Sequence, residues 1–229
     1  MPEFEAVQRI AKQILTAQTP SGQWLWDRTC RILRNVAQIS RLPEPARQAT
    51  TIDRPCLVTA TYFVESGHTL STTEPVTPGA SAPPDINNTD VCAASIRIVT
   101  KQLANVLNET QIEKVNKIII ESSNRFTTMI EAMILSDARN LEDLGTVGLL
   151  HELRRNMLQG KSISDLLDSW KCKIEYGYWQ ARIKESFRFD PVRKIAEQRL
   201  AAAAAFMEQV AVENKAHDLD DIVETVQRS

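Results

Sequence analysis

Several things are missing from this chain, and each absence narrows what it can be. Its four cysteines, Cys30, Cys56, Cys92 and Cys172, stand far apart, so there is no CxxC motif for a metal or a redox couple. Three of them fall in apolar stretches at helical spacing, which reads as free, mostly buried thiols in a reducing compartment. No apolar run approaches the ~20 residues of a membrane span. The first residues, Met-Pro-Glu-Phe-Glu, do not lead a basic segment into an apolar one, so no signal peptide is expected and a cytoplasmic location is. There is no run of Lys and Arg, and the net charge is -2, which gives no general attraction for nucleic acid or an anionic membrane. The glycines form no phosphate-cradling loop; Gly145 and Gly148 are expected to let helices approach closely. No segment alternates cleanly as a strand would, and no repeat is present.

What remains is ordinary globular composition, 43% apolar and 24% charged. The length is enough for one sizeable core without cross-links. Helical periodicity runs through most of it. Val7, Ile10, Ala11, Ile14 and Leu15 stripe a first helix, ended by Thr19–Gly22. A second spans about Gln23 to Ser40 with Trp26, Cys30, Leu33 and Val36/Ala37 inward, and Pro43 and Pro45 break the chain after it. A third, from about Pro55 to Ser66, is apolar almost all round and so should be central. His68 to Thr89 contains four prolines among Ser, Thr, Gly and Asn and reads as a loop insertion. Helices resume with Val91, Cys92, Ser95, Ile96, Val99, Leu103 and Val106, then with Ile112, Val115, Ile118 and Ile119. Met129–Leu135 leads into a polar stretch from Ser136 to Gly145, and a helix follows to about Met157, stopped by Gly160. One long helix is expected from Ser162 to about Phe187, with Trp170, Tyr176, Tyr178 and Trp179 as a core cluster. Asp190 caps the last helix with Pro191 at its first position. From Asn214 the tail is polar. The expected architecture is all-α: a helix over 1–20, a bundle over 20–213 carrying the 68–89 insertion, and a tail over 214–229.

Two segments together carry a resemblance. Ile134-Leu135-Ser136-Asp137-Ala138-Arg139-Asn140-Leu141-Glu142-Asp143-Leu144-Gly145-Thr146-Val147-Gly148 is one, and the helix opening Val192-Arg193-Lys194-Ile195-Ala196-Glu197-Gln198-Arg199-Leu200 is the other. Both resemble the HD-domain superfamily of metal-dependent phosphohydrolases. Upstream, Trp26–Ile32 is similar to the family's first motif and Thr59–Gly67 to the helix bearing its His-Asp pair. The resemblance covers roughly residues 20 to 210 and implies an HD-like helical bundle.

At the positions that would hold the metal, the chain departs from the family. The first His falls on Arg28, the His-Asp pair on Val64-Glu65, and the last Asp is kept as Asp137. The intervening helix, where further members place histidines, reads Ile120-Glu121-Ser122-Ser123. A guanidinium offers no lone pair and Val64 no donor, so no metal and no cofactor is expected. Removing a metal from a buried site strands its carboxylates, and a substituted cation would compensate them. Arg28 is therefore expected to point at Asp137, at Glu65 or at both. The bland alternative makes Ser136 or Asp137 a cap for a helix starting near Asn140, and the Glu142-Asp143 pair a solvated first turn.

Three functions follow from these residues. The first is a catalytically degenerate HD-like module, regulatory, structural or binding a small anionic ligand through Arg28, Arg31 and His68. The second is a phosphohydrolase with a rebuilt metal site on Glu65 and Asp137, helped by His68 or Glu121. The third is a helical interaction scaffold, for which a homodimer through the Trp170–Trp179 segment is one form. Kinship of fold does not transfer an activity, so the chain is not called an enzyme on this ground.

Overall fold

The computed structural model describes residues 2–16, 22–47, 51–69 and 88–219. Among them there is no strand, and no helix is long and apolar enough to cross a membrane. Most of the expected insertion, and the tail beyond Leu219, lie outside the described residues. The chain divides into two compact units, Met1–Arg139 and Asn140–Ser229.

The first unit holds α1 (Pro2–Thr16), α2 (Gly22–Ile39), α3 (Pro43–Arg47), α4 (Arg54–Phe63), α5 (Asn88–Gln102), α6 (Glu109–Glu121) and most of α7 (Ile130–Glu142). Its centre is α4 with the turn that follows it: Cys56, Leu57 and every residue from Thr59 to Gly67 are buried. α1, α2, α5 and α6 pack around it. Such a helix, apolar on all sides, is stable only when neighbours cover every face. Asp53 caps it by accepting from the Cys56 N–H at 3.0 Å, and the Asp53 N–H itself donates to the buried Glu131 carboxylate, which also pairs with Lys114 at 3.0 Å. Asn108 and Gln111 close a capping box at the start of α6.

Several expectations need correction here. The break after α2 falls at 40–42, and Pro43 and Pro45 then sit in the first turn of a short helix, where a missing N–H costs nothing. The inward face of α2 is Leu25, Trp26, Arg28, Thr29, Ile32, Val36 and Ile39, so Cys30 and Leu33 are only half-buried and Ala37 is exposed. No helix starts near Asn140: α7 runs unbroken through Ser136 and Asp137.

The second unit holds the end of α7, then α8 (Gly145–Leu158), α9 (Ile163–Glu175), α10 (Tyr178–Ser186) and α11 (Asp190–Asn214). Leu149, Leu166, Ala203 and Met207 form its core, with Leu153, Leu167 and Trp170 against them. The single helix expected over 162–187 is two helices, because Gly177 adopts φ 63° and turns the chain. Of the aromatic cluster, Trp179 is buried against Trp170 at 5.3 Å, while Tyr176 and Tyr178 face solvent. Asp190 is the first residue of α11 rather than its cap, which falls on Phe189. Nor is Glu142-Asp143 a solvated first turn. Glu142 is buried as the last residue of α7, and Asp143 pairs with Arg182 at 2.8 Å. Arg199 closes the end of α7 by donating to the Leu141 carbonyl at 2.6 Å, beside the Glu142 charge. A Cβ on Gly148 would lie 2.2 Å from the Asp143 carbonyl oxygen, in the turn that leads into α8, whereas one on Gly145 would lie 3.1 Å from the Arg199 side chain of α11.

Candidate functional site

The turn that ends α4 carries the site. Its residues Val64 and Glu65 are followed by a 3-10 turn, Ser66–Thr69, that packs on α5. Ser95 of α5 fastens it: the Ser95 hydroxyl donates to the Val64 carbonyl at 3.1 Å and accepts from the Gly67 N–H at 2.8 Å. Gly67 lies so close to α5 that a Cβ there would sit 2.1 Å from the Val91 carbonyl oxygen. Glu65 is thereby held inside the unit at 2% exposure.

Three cationic or potentially cationic groups converge on that one carboxylate. Arg28 of α2 brings its Nε to 3.4 Å of Oε2, Arg139 of α7 its Nε to 2.8 Å of Oε1, and His68 its Nε2 to 3.3 Å of Oε2. The Arg28 side chain is 10% exposed and that of Arg139 21%. Asn35 of α2 donates to the Ala138 carbonyl at 3.2 Å, which ties α2 to α7 next to Arg139. Burial by itself would raise the Glu65 pKa. The Arg28 and then the Arg139 guanidinium, with His68 behind them, reverse this and hold the carboxyl well below its usual range.

Of the residues singled out in the sequence, the structure thus brings together Arg28, Glu65 and His68. Val64 is buried and contributes only its backbone. Asp137 is wholly buried in mid-α7, two residues before Arg139. Arg31 sits one turn along α2 from Arg28, half-buried. Glu121 is the last residue of α6 and bonds to Asn124 at 3.0 Å. Arg139 and Ser95 were not picked out as site residues. Arg139 lay within the segment carrying the resemblance, and a cation two residues from a kept acid was a usable signal. Ser95 was visible as the one hydroxyl in an otherwise apolar α5 stripe.

These groups do not fit a divalent ion. Metal sites need several oxygen, nitrogen or thiolate donors around one point. Here the Glu65 carboxylate is already engaged by two guanidiniums. Among the described residues, no group of three or more His, Cys, Asp or Glu is placed to hold a metal.

No protein-family model matches the chain, and no curated protein matches it in sequence. Solved structures do match. The crystal structure of Bacillus subtilis YpgQ in complex with ADP superposes with a TM-score of 0.60 at 16% identity, covering 93% of this chain and 97% of that one. The crystal structure of YpgQ gives the same values. Its selenomethionine form gives 0.57, with 96% of that chain covered. The likeness shows the fold, an all-α HD-like bundle.

Proposed function

We propose that this chain is an HD-like module that works without a metal centre and binds a small anionic ligand at the Glu65 cluster. The observation that carries this reading is the Arg28 guanidinium on the buried Glu65 carboxylate. A cation standing among the old ligand positions does electrostatically what a metal would do for that carboxylate, but it cannot polarise a water into a nucleophile. Arg28 and Arg139 both bring a guanidinium to the Glu65 carboxylate. The planar donor fork of arginine suits phosphate or carboxylate oxygens. Arg139, the more exposed of the two, is the residue to which we assign first contact with the ligand.

The structural neighbour YpgQ was crystallised with ADP. That makes a nucleoside diphosphate the first ligand to try, with inorganic pyrophosphate beside it. The test is calorimetric titration of both into the chain, in EDTA and again with Mg²⁺ or Mn²⁺. The proposal expects saturable binding in EDTA, weakened about tenfold by Arg139→Ala, as loss of a charge-assisted contact would do. Binding that requires the metal, or hydrolysis of either compound that disappears in Glu65→Gln, would instead support a rebuilt phosphohydrolase.

A further inference from the structure

The second unit carries most of the large apolar side chains that the chain exposes among its described residues. Four of them belong to α8. Val147, Leu150, Met157 and Leu158 are 39%, 53%, 65% and 65% exposed. At about 100° per residue they fall on one side of the helix, opposite the buried Gly148, Leu149 and Asn156. A helix that is apolar on both its core side and its outer side is incompletely covered. The charges on α8 are equally one-sided. Its single acid, Glu152, is turned inward onto Lys173. Arg154 lies among the four apolar residues, and Arg155 and Lys161 are exposed beside and beyond them.

We propose that the outer face of α8 docks an amphipathic helix with acidic flanks. Apolar anchors at spacings of three and four would lie on Val147, Leu150, Met157 and Leu158, and carboxylates on the partner would meet Arg155 and Lys161. A second copy of the same face fits less well, because Arg155 and Lys161 would bring like charges together. The chain's own sequence contains a stretch of the required chemistry: Leu219, Ile222, Val223 and Val226 recur at helical spacing among Asp218, Asp220, Asp221 and Glu224.

That stretch supplies the probe. A labelled synthetic peptide with residues 216–229 is titrated, by fluorescence anisotropy, with the full chain and with the full chain carrying Ile222→Asp and Val226→Asp. The double substitution removes competition from the chain's own copy of the sequence. The proposal expects saturable binding to the substituted chain, at least as tight as to the unsubstituted one. Leu150→Asp or Met157→Asp, each at an exposed position, should weaken it about tenfold or more, and Arg155→Glu should weaken it and flatten its salt dependence. No saturable binding to either form of the chain overturns the proposal. So does binding that neither Leu150→Asp nor Met157→Asp moves. A dimer that Leu150→Asp dissociates, in a chain that ignores the peptide, would give this face to a second copy and overturn it as well.

Discussion

From inside a helical core Glu65 holds two arginines and a half-exposed histidine, and its removal should be felt at once. Glu65→Gln takes the Glu65 charge away from Arg28 and Arg139, and losing one partner of a buried pair costs about 3 kcal/mol. Chemical denaturation of the wild type and variant at pH 7 measures it. The same pair gives a pH signature. The folded pKa of Glu65 is held down by the arginines, so its contribution is complete above the unfolded carboxyl value, about 4.3, and is lost as pH falls below that toward the folded value. The stability gap between wild type and Glu65→Gln should therefore be constant from pH 7 to 5 and shrink in stronger acid; a gap that persists unchanged at pH 3 would contradict the ion-pair account. The cysteines separate in a similar way. Burial, reinforced by the Asp53 carboxylate, pushes the Cys56 thiol up to about 12, and burial raises Cys30 and Cys92 as well. Cys172 is exposed. Brief alkylation of the native chain followed by mass spectrometry should label Cys172 first and Cys56 last.

Glycine distinguishes the turns that position the site from those that merely join helices. A methyl on Gly67 would run into the backbone of α5, so Gly67→Ala must push the Glu65–His68 turn off Ser95, at a cost of about 3 kcal/mol or more. Gly177 has open space around it, and Gly177→Ala meets only the left-handed backbone, at about 1 kcal/mol. Thermal melts of the two variants should rank in that order. These turns also mark what was readable in the sequence. Apolar periodicity located nearly every helix, since a buried stripe leaves its mark whatever the partner. The break at Gly177 was missed because apolar residues continue on both sides of it, from Ile174 to Trp179. Ser136-Asp137 looked like a cap because short polar residues also favour caps; only the burial of α7 shows that the helix continues. Glu142 looked solvated because its compensating charge, Arg199, comes from α11, far along the chain.

At the scale of the whole molecule, an all-α HD-like bundle could be read from the sequence in outline. Arg28 and Glu65 were named because their positions in the resemblance should have held metal ligands. Arg139 could not be paired with Glu65 by pattern, because the two meet only when α7 folds beside α4. The central claim is that a guanidinium has taken over the charge balance that a metal would have provided. Elemental analysis of the chain purified without chelator, with Mn²⁺, Fe²⁺, Ni²⁺ and Mg²⁺ offered in turn and thermal shift as the second readout, tests it most directly. The account predicts no stoichiometric metal and no metal-dependent rise in melting temperature. About one metal ion per chain, stabilising the fold and lost on Asp137→Ala, would contradict it.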